Sequence, residues 1–483
     1  MADKLIHNRL FPCIYLPLLF LAACLVNVFE IEIYGAAFFL LVTAAMLVLS
    51  SDLVDAMLPA LFLSVSVTKL YNLLANEVWR QQIIRVAWVI LPLLAAIVFH
   101  FVRYRKRITI GPSFWGLCAI SLALILGGVG TITADEYFAP GALFYTFGLG
   151  LGMVAFYLLV RSHMSETAGI TVAKTLYLVG LYAGFCVAMF YVRDIITGEH
   201  VFLETHKFLN FQSSNNLSTF LMLAMPFPLY WAAKNPLHIL STVFMYTCVI
   251  FTGSRGGLLM GTVEFAILLV AYVVVFPRNR KQRIVAFSTT IVLGIALIVS
   301  LPFVARWSGV SGEGGETIHG LRDLVDKLKG YLLDKEQARY KLLERMVVDF
   351  KSNPVFGVGI GYTGNESIYN PVAGAMNWYH MWFAQVIGGL GILGILAYGF
   401  QLVDRVRIFL RNRTALTWTL LLSYVGLFLM SQVNPGEFCP VPYAALAMTF
   451  FAVMERGVLC KSATSDVLDT DTEAKPLNTP DPS

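Results

Sequence analysis

Long apolar runs alternate with short polar connections along almost the whole chain. The pattern predicts helices at 11–29, 33–50, 54–72, 83–102, 113–131, 139–160, 171–192, 217–232, 236–252, 256–276, 284–304, 380–403, 414–433 and 438–455. Runs such as Phe11–Phe29, Ile284–Val304 and Leu416–Met430 are about as long as a bilayer requires and nearly free of charge. A membrane β-barrel would instead show alternating segments of about ten residues. The expected fold is therefore all-α. It is a polytopic transmembrane helical bundle of about 12–14 spans with one large external loop that contains amphipathic helices.

That loop is a polar island from Ala305 to Trp378, the one long interruption of the apolar pattern. The chain thus divides into a membrane domain over 1–456, the island at 305–378 inserted in it, and an acidic, Pro/Ser/Thr-rich tail at 457–483. The tail reads as a disordered cytoplasmic extension. Composition agrees with this class. The chain is 57% hydrophobic and 13% charged, whereas soluble domains carry about 25% charged residues. Lys4 and Arg9 precede the first span without a small-residue cleavage site after it, so that span is expected to be retained. The seven cysteines form no CxxC or His/Cys cluster, which suggests neither a disulfide framework nor a zinc site. The net charge of +5 is modest. Membrane lipids, and no nucleic acid, are the expected surroundings.

The distribution of charge sets the orientation. One set of connections carries Lys4, Arg9, Arg103, Arg105, Lys106, Arg107, Arg161, Lys234, Arg278, Arg280, Lys281, Arg283, Arg405, Arg407, Arg411, Arg413, Arg456 and Lys461. The opposite short connections carry Arg80, Arg193 and Lys207. The positive-inside rule then puts both termini in the cytoplasm and the island outside the membrane.

Four places could carry chemistry. The first is Phe251-Thr-Gly-Ser-Arg-Gly-Gly257, between two spans at the outer face. An arginine here either faces an anion in a wet cavity or snorkels from a tight helix–helix turn. Its glycines would let backbone and ligand approach closely. The second is the segment from Arg339 to Phe350. Leu342, Leu343, Met346, Val347 and Phe350 recur at helical spacing, and Asn353-Pro354 ends the helix. Without a ligand it would be an amphipathic helix on the membrane surface. The following Gly357-Val-Gly-Ile-Gly361 lacks the lysine and βαβ context of a nucleotide loop. The third is His380, where the island re-enters the membrane, a general base or an interfacial aromatic-belt residue. The fourth is Asn216, a polar group near the outer end of a span, whose structural reading is a helix cap. Charge topology puts Arg255, Arg339 and His380 on one side of the membrane. Two arginines near a histidine suit a phosphate-bearing substrate and a base.

At these positions the chain resembles the O-antigen ligase and polymerase superfamily of bacterial surface-polysaccharide assembly. The resemblance runs from about Asn215 to Gly394. It rests on NNLSTFLMLAMPFPL, FTGSRGG, Arg339 fifteen residues before the proline of NPVFGVGIG, and His380 followed by Gln385, Gly391 and Gly394. It implies a membrane glycosyltransferase that moves a glycan from an undecaprenyl-pyrophosphate carrier to a hydroxyl on a glycan or lipid acceptor. It implies no metal and no cofactor. By position, Arg255 and Arg339 would hold the pyrophosphate and His380 would be the base, with Asn216 and Gln385 at the substrate. Two positions depart from the family pattern: Met381 stands where asparagine usually follows the histidine, and Gly389 stands where a glutamate is common. The implied location is the inner or plasma membrane, with the active site on the external face. The alternative is a transporter or flippase of lipid-linked saccharides. It would call for mid-membrane charges and broken helices in both halves, and the sequence offers no paired set of these.

Overall fold

The computed structural model describes residues 14–66, 84–133, 146–197, 214–232, 234–277, 279–307, 338–359, 379–434 and 436–456. The remainder of the island and the tail at 457–483 lie outside the described residues. The helices, in order, are α1 (Leu16–Phe29), α2 (Glu32–Leu49), α3 (Leu53–Ser66), α4 (Ile90–Arg103), α5 (Ser113–Thr133), α6 (Met153–His163), α7 (Ala168–Thr197), α8 (Ser214–Ala224) and α9 (Phe227–Ala232). They continue with α10 (Ile239–Phe251), α11 (Arg255–Val274), α12 (Arg280–Trp307), α13 (Ala338–Ser352), α14 (Trp382–Arg411), α15 (Ala415–Ser431) and α16 (Ala445–Glu455). There is no strand among the described residues. Among the described residues, six helices are long and apolar enough to cross a membrane, and shorter apolar helices of 10–17 residues stand at six of the other eight predicted positions, those at 139–160 and 217–232 excepted. A helix satisfies its backbone polar groups internally, which is what lets so apolar a chain enter lipid. The molecule is an all-α, multi-pass membrane protein.

Polar contacts gather at the two ends of the bundle. At one end Glu455 accepts from Tyr157 Oη at 2.5 Å and from the Ser113 amide at 2.6 Å, and it pairs with Arg161 at 3.5 Å. Lys106 reaches the Ser51 carbonyl and Asn412 reaches that of Met454 at the same end. At the other end Arg193 pairs with Glu30 at 3.2 Å, and Tyr191 Oη donates to the Phe251 carbonyl. Arg255 opens α11 there.

Helix α14 is not the straight span that the sequence suggests at 380–403. Gly391 sits at φ 62°, ψ −154°, inside what is otherwise a helix. The Trp382 and Tyr398 rings nevertheless meet at 5.4 Å. A straight helix would hold residues sixteen apart at roughly 24 Å. The arm 382–390 therefore folds back along the arm 392–411. His380 lies just before the short arm, and not at the end of a straight crossing helix.

The island completes this break. A broken helix leaves carbonyls unpaired on one side and amides on the other. Val358 and Gly359 donate to the carbonyls of Gly388 and Gly389 at 3.1 and 2.9 Å, and Ile392 and Leu393 donate to those of Pro354 and Val355 at 2.8 and 3.1 Å. The NPVFGVG turn is thus a plug for the break, and its amides are taken by protein carbonyls. A Cβ at Gly391 would sit 2.6 Å from the Pro354 oxygen and 2.7 Å from that of Val355. Its backbone conformation is also one that glycine alone adopts readily. Gly391→Ala is expected to destabilise the protein by about 1–3 kcal/mol. Gly399→Ala, on the same helix with open space around it, should be neutral or mildly stabilising. Thermal unfolding in detergent compares the two, and equal midpoints would mean that the joint tolerates a side chain.

Charged groups also lie inside the bundle, a feature the apolar pattern had concealed. Charge distribution along the chain places Arg405 among the basic connections. It is instead buried, with a side-chain exposure of 7%, and pairs with Glu437 at 2.8 Å. It also donates to Tyr424 Oη and lies over the Tyr424 and Phe451 rings at 4.4 and 5.0 Å. Glu264 on α11 is buried against Gly426 of α15, where only a glycine leaves room for the carboxyl.

Candidate functional site

Arg255 is the first residue of α11. Ser254 caps that helix by accepting from the Gly257 amide at 2.9 Å, and its hydroxyl donates to Asn215 Oδ1 at 2.6 Å. A helix start already carries partial positive charge, so a guanidinium there reinforces a field that favours an anion. The glycines that follow serve packing. A Cβ at Gly256 would lie 2.8 Å from the Val433 side chain, and one at Gly257 would lie 2.5 Å from Ser218 Oγ. They bring α11 close to α15 and α8, which is a different use from the close ligand approach read from the sequence.

Asn216 is not a cap. Its Oδ1 accepts from Asn434 Nδ2 at 3.2 Å, and its carbonyl accepts from Tyr443 Oη at 3.3 Å. It ties α8 to the segment between α15 and α16, beside the start of α11.

The island helix α13 packs on the other candidate. Leu342 is buried with Tyr379, Met381 and Ala384, and Leu343 and Met346 lie against them. The helix is therefore docked on the protein, whatever membrane it also meets. Val347, expected on the apolar face, is exposed. Arg339 stands near the start of α13, three residues before Leu342, which lies on the docked face. Asp349 continues that face two turns later. It is 1% exposed, accepts from Tyr379 Oη at 2.5 Å and pairs with Arg345 at 2.8 Å. Burial pushes its carboxyl above the usual carboxylate range, against the opposing pull of Tyr379 and Arg345.

His380 follows Tyr379 with φ 54°, a left-handed conformation that a non-glycine residue adopts at a cost of roughly 1–2 kcal/mol. Gln385, also 1% exposed, accepts the Tyr379 amide at 3.2 Å. Its side-chain oxygen thus orients the backbone beside His380.

The two halves of the candidate site meet at α15. Trp382, two residues after His380, stacks edge-on against Phe428 at 5.1 Å. Gly256, next to Arg255, lies against Val433 and Met430 one turn further along. The start of α11 and the turn that leads into Trp382 therefore both lie near the C-terminal end of α15, and α13 packs on residues either side of His380. Sequence reasoning missed Tyr379 and Asn434. A usable signal existed for Asp349: a carboxylate placed on the apolar stripe of its helix, seven residues after Leu342.

The fold and these contacts define a multi-pass helical membrane protein with a loop helix docked against the turn at Tyr379–Met381. Residues 240–399 match the family model described as O-antigen ligase. The match covers about a third of the chain. It contains Arg255, Arg339, His380 and Gln385, while Asn216 lies outside it. No curated protein matches the chain.

Proposed function

We propose that the protein transfers a glycan from an undecaprenyl-pyrophosphate carrier to a hydroxyl acceptor, as an O-antigen ligase or a polysaccharide polymerase does. The observation that carries this reading is the folded-back arm. It sets the turn at His380 against α13, the helix of Arg339, and near the end of α15 that also holds the start of α11. The site then faces the outer side of the inner or plasma membrane, with both termini in the cytoplasm, in keeping with the basic connections at the opposite end.

In this reaction His380 takes the proton of the acceptor hydroxyl. The acceptor oxygen attacks the anomeric carbon, the bond from that carbon to the diphosphate oxygen breaks, and the carrier diphosphate leaves with the electron pair. Arg255 and Arg339 hold the charge that grows on it. In a partly desolvated site such a donor is worth about 10²–10³ in rate. A single displacement inverts the anomeric centre.

Reconstitution with a lipid-linked glycan tests the reading. A new glycosidic product of inverted configuration supports it. Movement of the lipid across the bilayer without product would instead support a transporter, and retention at the new linkage would rule out single displacement. Arg255→Lys should lower transfer by about 10²-fold, because lysine keeps the charge but not the two-pronged fork. An undiminished rate would reduce the SRGG segment to a packing turn.

A further inference from the structure

Tyr379 is held at three points. Its amide is fixed by Gln385 at 3.2 Å, and its hydroxyl is fixed by Asp349 at 2.5 Å. Its ring lies over Gly388, where a Cβ would come within 2.7 Å of Oη. Two of these contacts come from the short arm itself. The third comes from α13, the helix that carries Arg339 ten residues before Asp349. Beside the apolar packing by Leu342, Leu343 and Met346, the Asp349–Tyr379 bond is a polar link between that helix and the His380 turn. A buried carboxylate that loses its donor is left with an unsatisfied oxygen, so the bond also sets the depth at which α13 docks.

We propose that Asp349 and Tyr379 are positioning residues whose hydrogen bond clamps α13 onto the short arm. One contact then brings Arg339 and the left-handed His380 turn into register. This rests on the transferase reading, in which Arg339 and His380 act on the same substrate. Catalytic groups work only when held within about 0.5 Å of the productive geometry, by neighbours that are themselves locked. A clamp between the loop and the arm does this for two groups drawn from separate segments. It also explains why a carboxylate occupies the apolar stripe of α13: an aliphatic residue there would dock the helix but leave its register free to slide along the arm.

The test uses the full chain in lipid nanodiscs, with a polyprenyl-pyrophosphate-linked saccharide as donor and released polyprenyl pyrophosphate as the readout. Tyr379→Phe removes only the hydroxyl, and Asp349→Asn only the charge. Per folded molecule, each is expected to lower kcat about tenfold. Amide exchange over 342–350 should quicken about tenfold while that over 258–272 stays unchanged. The double variant should be no worse than the weaker single variant, the mark of one shared contact. A kcat within twofold of wild type in both single variants would overturn the clamp. So would additive losses, or unchanged exchange over 342–350. Should Tyr379→Phe fail to fold, Asp349→Asn with the same exchange measurement decides. His380→Ala in parallel keeps the two ideas apart. Wild-type turnover there would end the base assignment, while the exchange rates of Tyr379→Phe would still report on the clamp.

Discussion

His380→Ala is expected to lower glycan transfer by about 10²–10⁴ while the protein still inserts and folds. The contacts that shape the turn belong to its neighbours: Tyr379 is fixed by Asp349 and Gln385, and Met381 and Ala384 pack under Leu342. Removing the imidazole therefore removes a proton acceptor without unmaking the joint. Alanine tolerates the left-handed backbone at a cost similar to that already present. The measurement is turnover of a lipid-linked glycan by purified protein, alongside the unfolding midpoint. Wild-type turnover would show that another group takes the acceptor proton. A lowered midpoint together with lost activity would point to a structural role for the ring.

Breaking the Arg405–Glu437 pair should have the largest effect on stability. Glu437→Ala leaves a guanidinium that is 7% exposed facing no carboxylate, and removing one partner of a buried pair destabilises by about 3–5 kcal/mol. Glu437 lies between α15 and α16, three residues after Asn434, which holds Asn216. The loss should therefore also loosen the polar cluster at the start of α11. Replacing both, as Arg405→Met with Glu437→Met, should restore most of the stability, since two apolar groups leave no charge unpaired. Unfolding midpoints of the three proteins in one detergent check this. A midpoint for Glu437→Ala close to wild type would mean that water or Tyr424 already satisfies Arg405.

Much of the architecture was readable because lipid imposes a simple demand. Apolar runs long enough to cross had to be helices, and a helix stands at the place of each predicted span. The amphipathic face through Leu342 and Met346 was readable for the same reason, as was the stop at Asn353-Pro354. Gly391 was not. A glycine within an apolar run looks the same whether the helix continues or turns back, and only the contacts of Trp382 with Tyr398 and of the island turn with Gly388–Leu393 separate the two cases. Arg405 was misplaced because its position near a cluster of arginines resembled a basic connection, while its partner lies thirty-two residues away in the chain.

By itself, then, the sequence determined the membrane class, the helices, the single polar island, and Arg255, Arg339 and His380 as the residues to watch. These follow from composition, period and charge, which are local properties. The tertiary structure alone decided that α14 folds back, that the island's glycine turn completes the break, and that Asp349 and Tyr379 join the Arg339 helix to the His380 turn. The physical reason is that each of these satisfies a backbone or buried polar group with a partner distant in sequence, and no local pattern records which partner that will be.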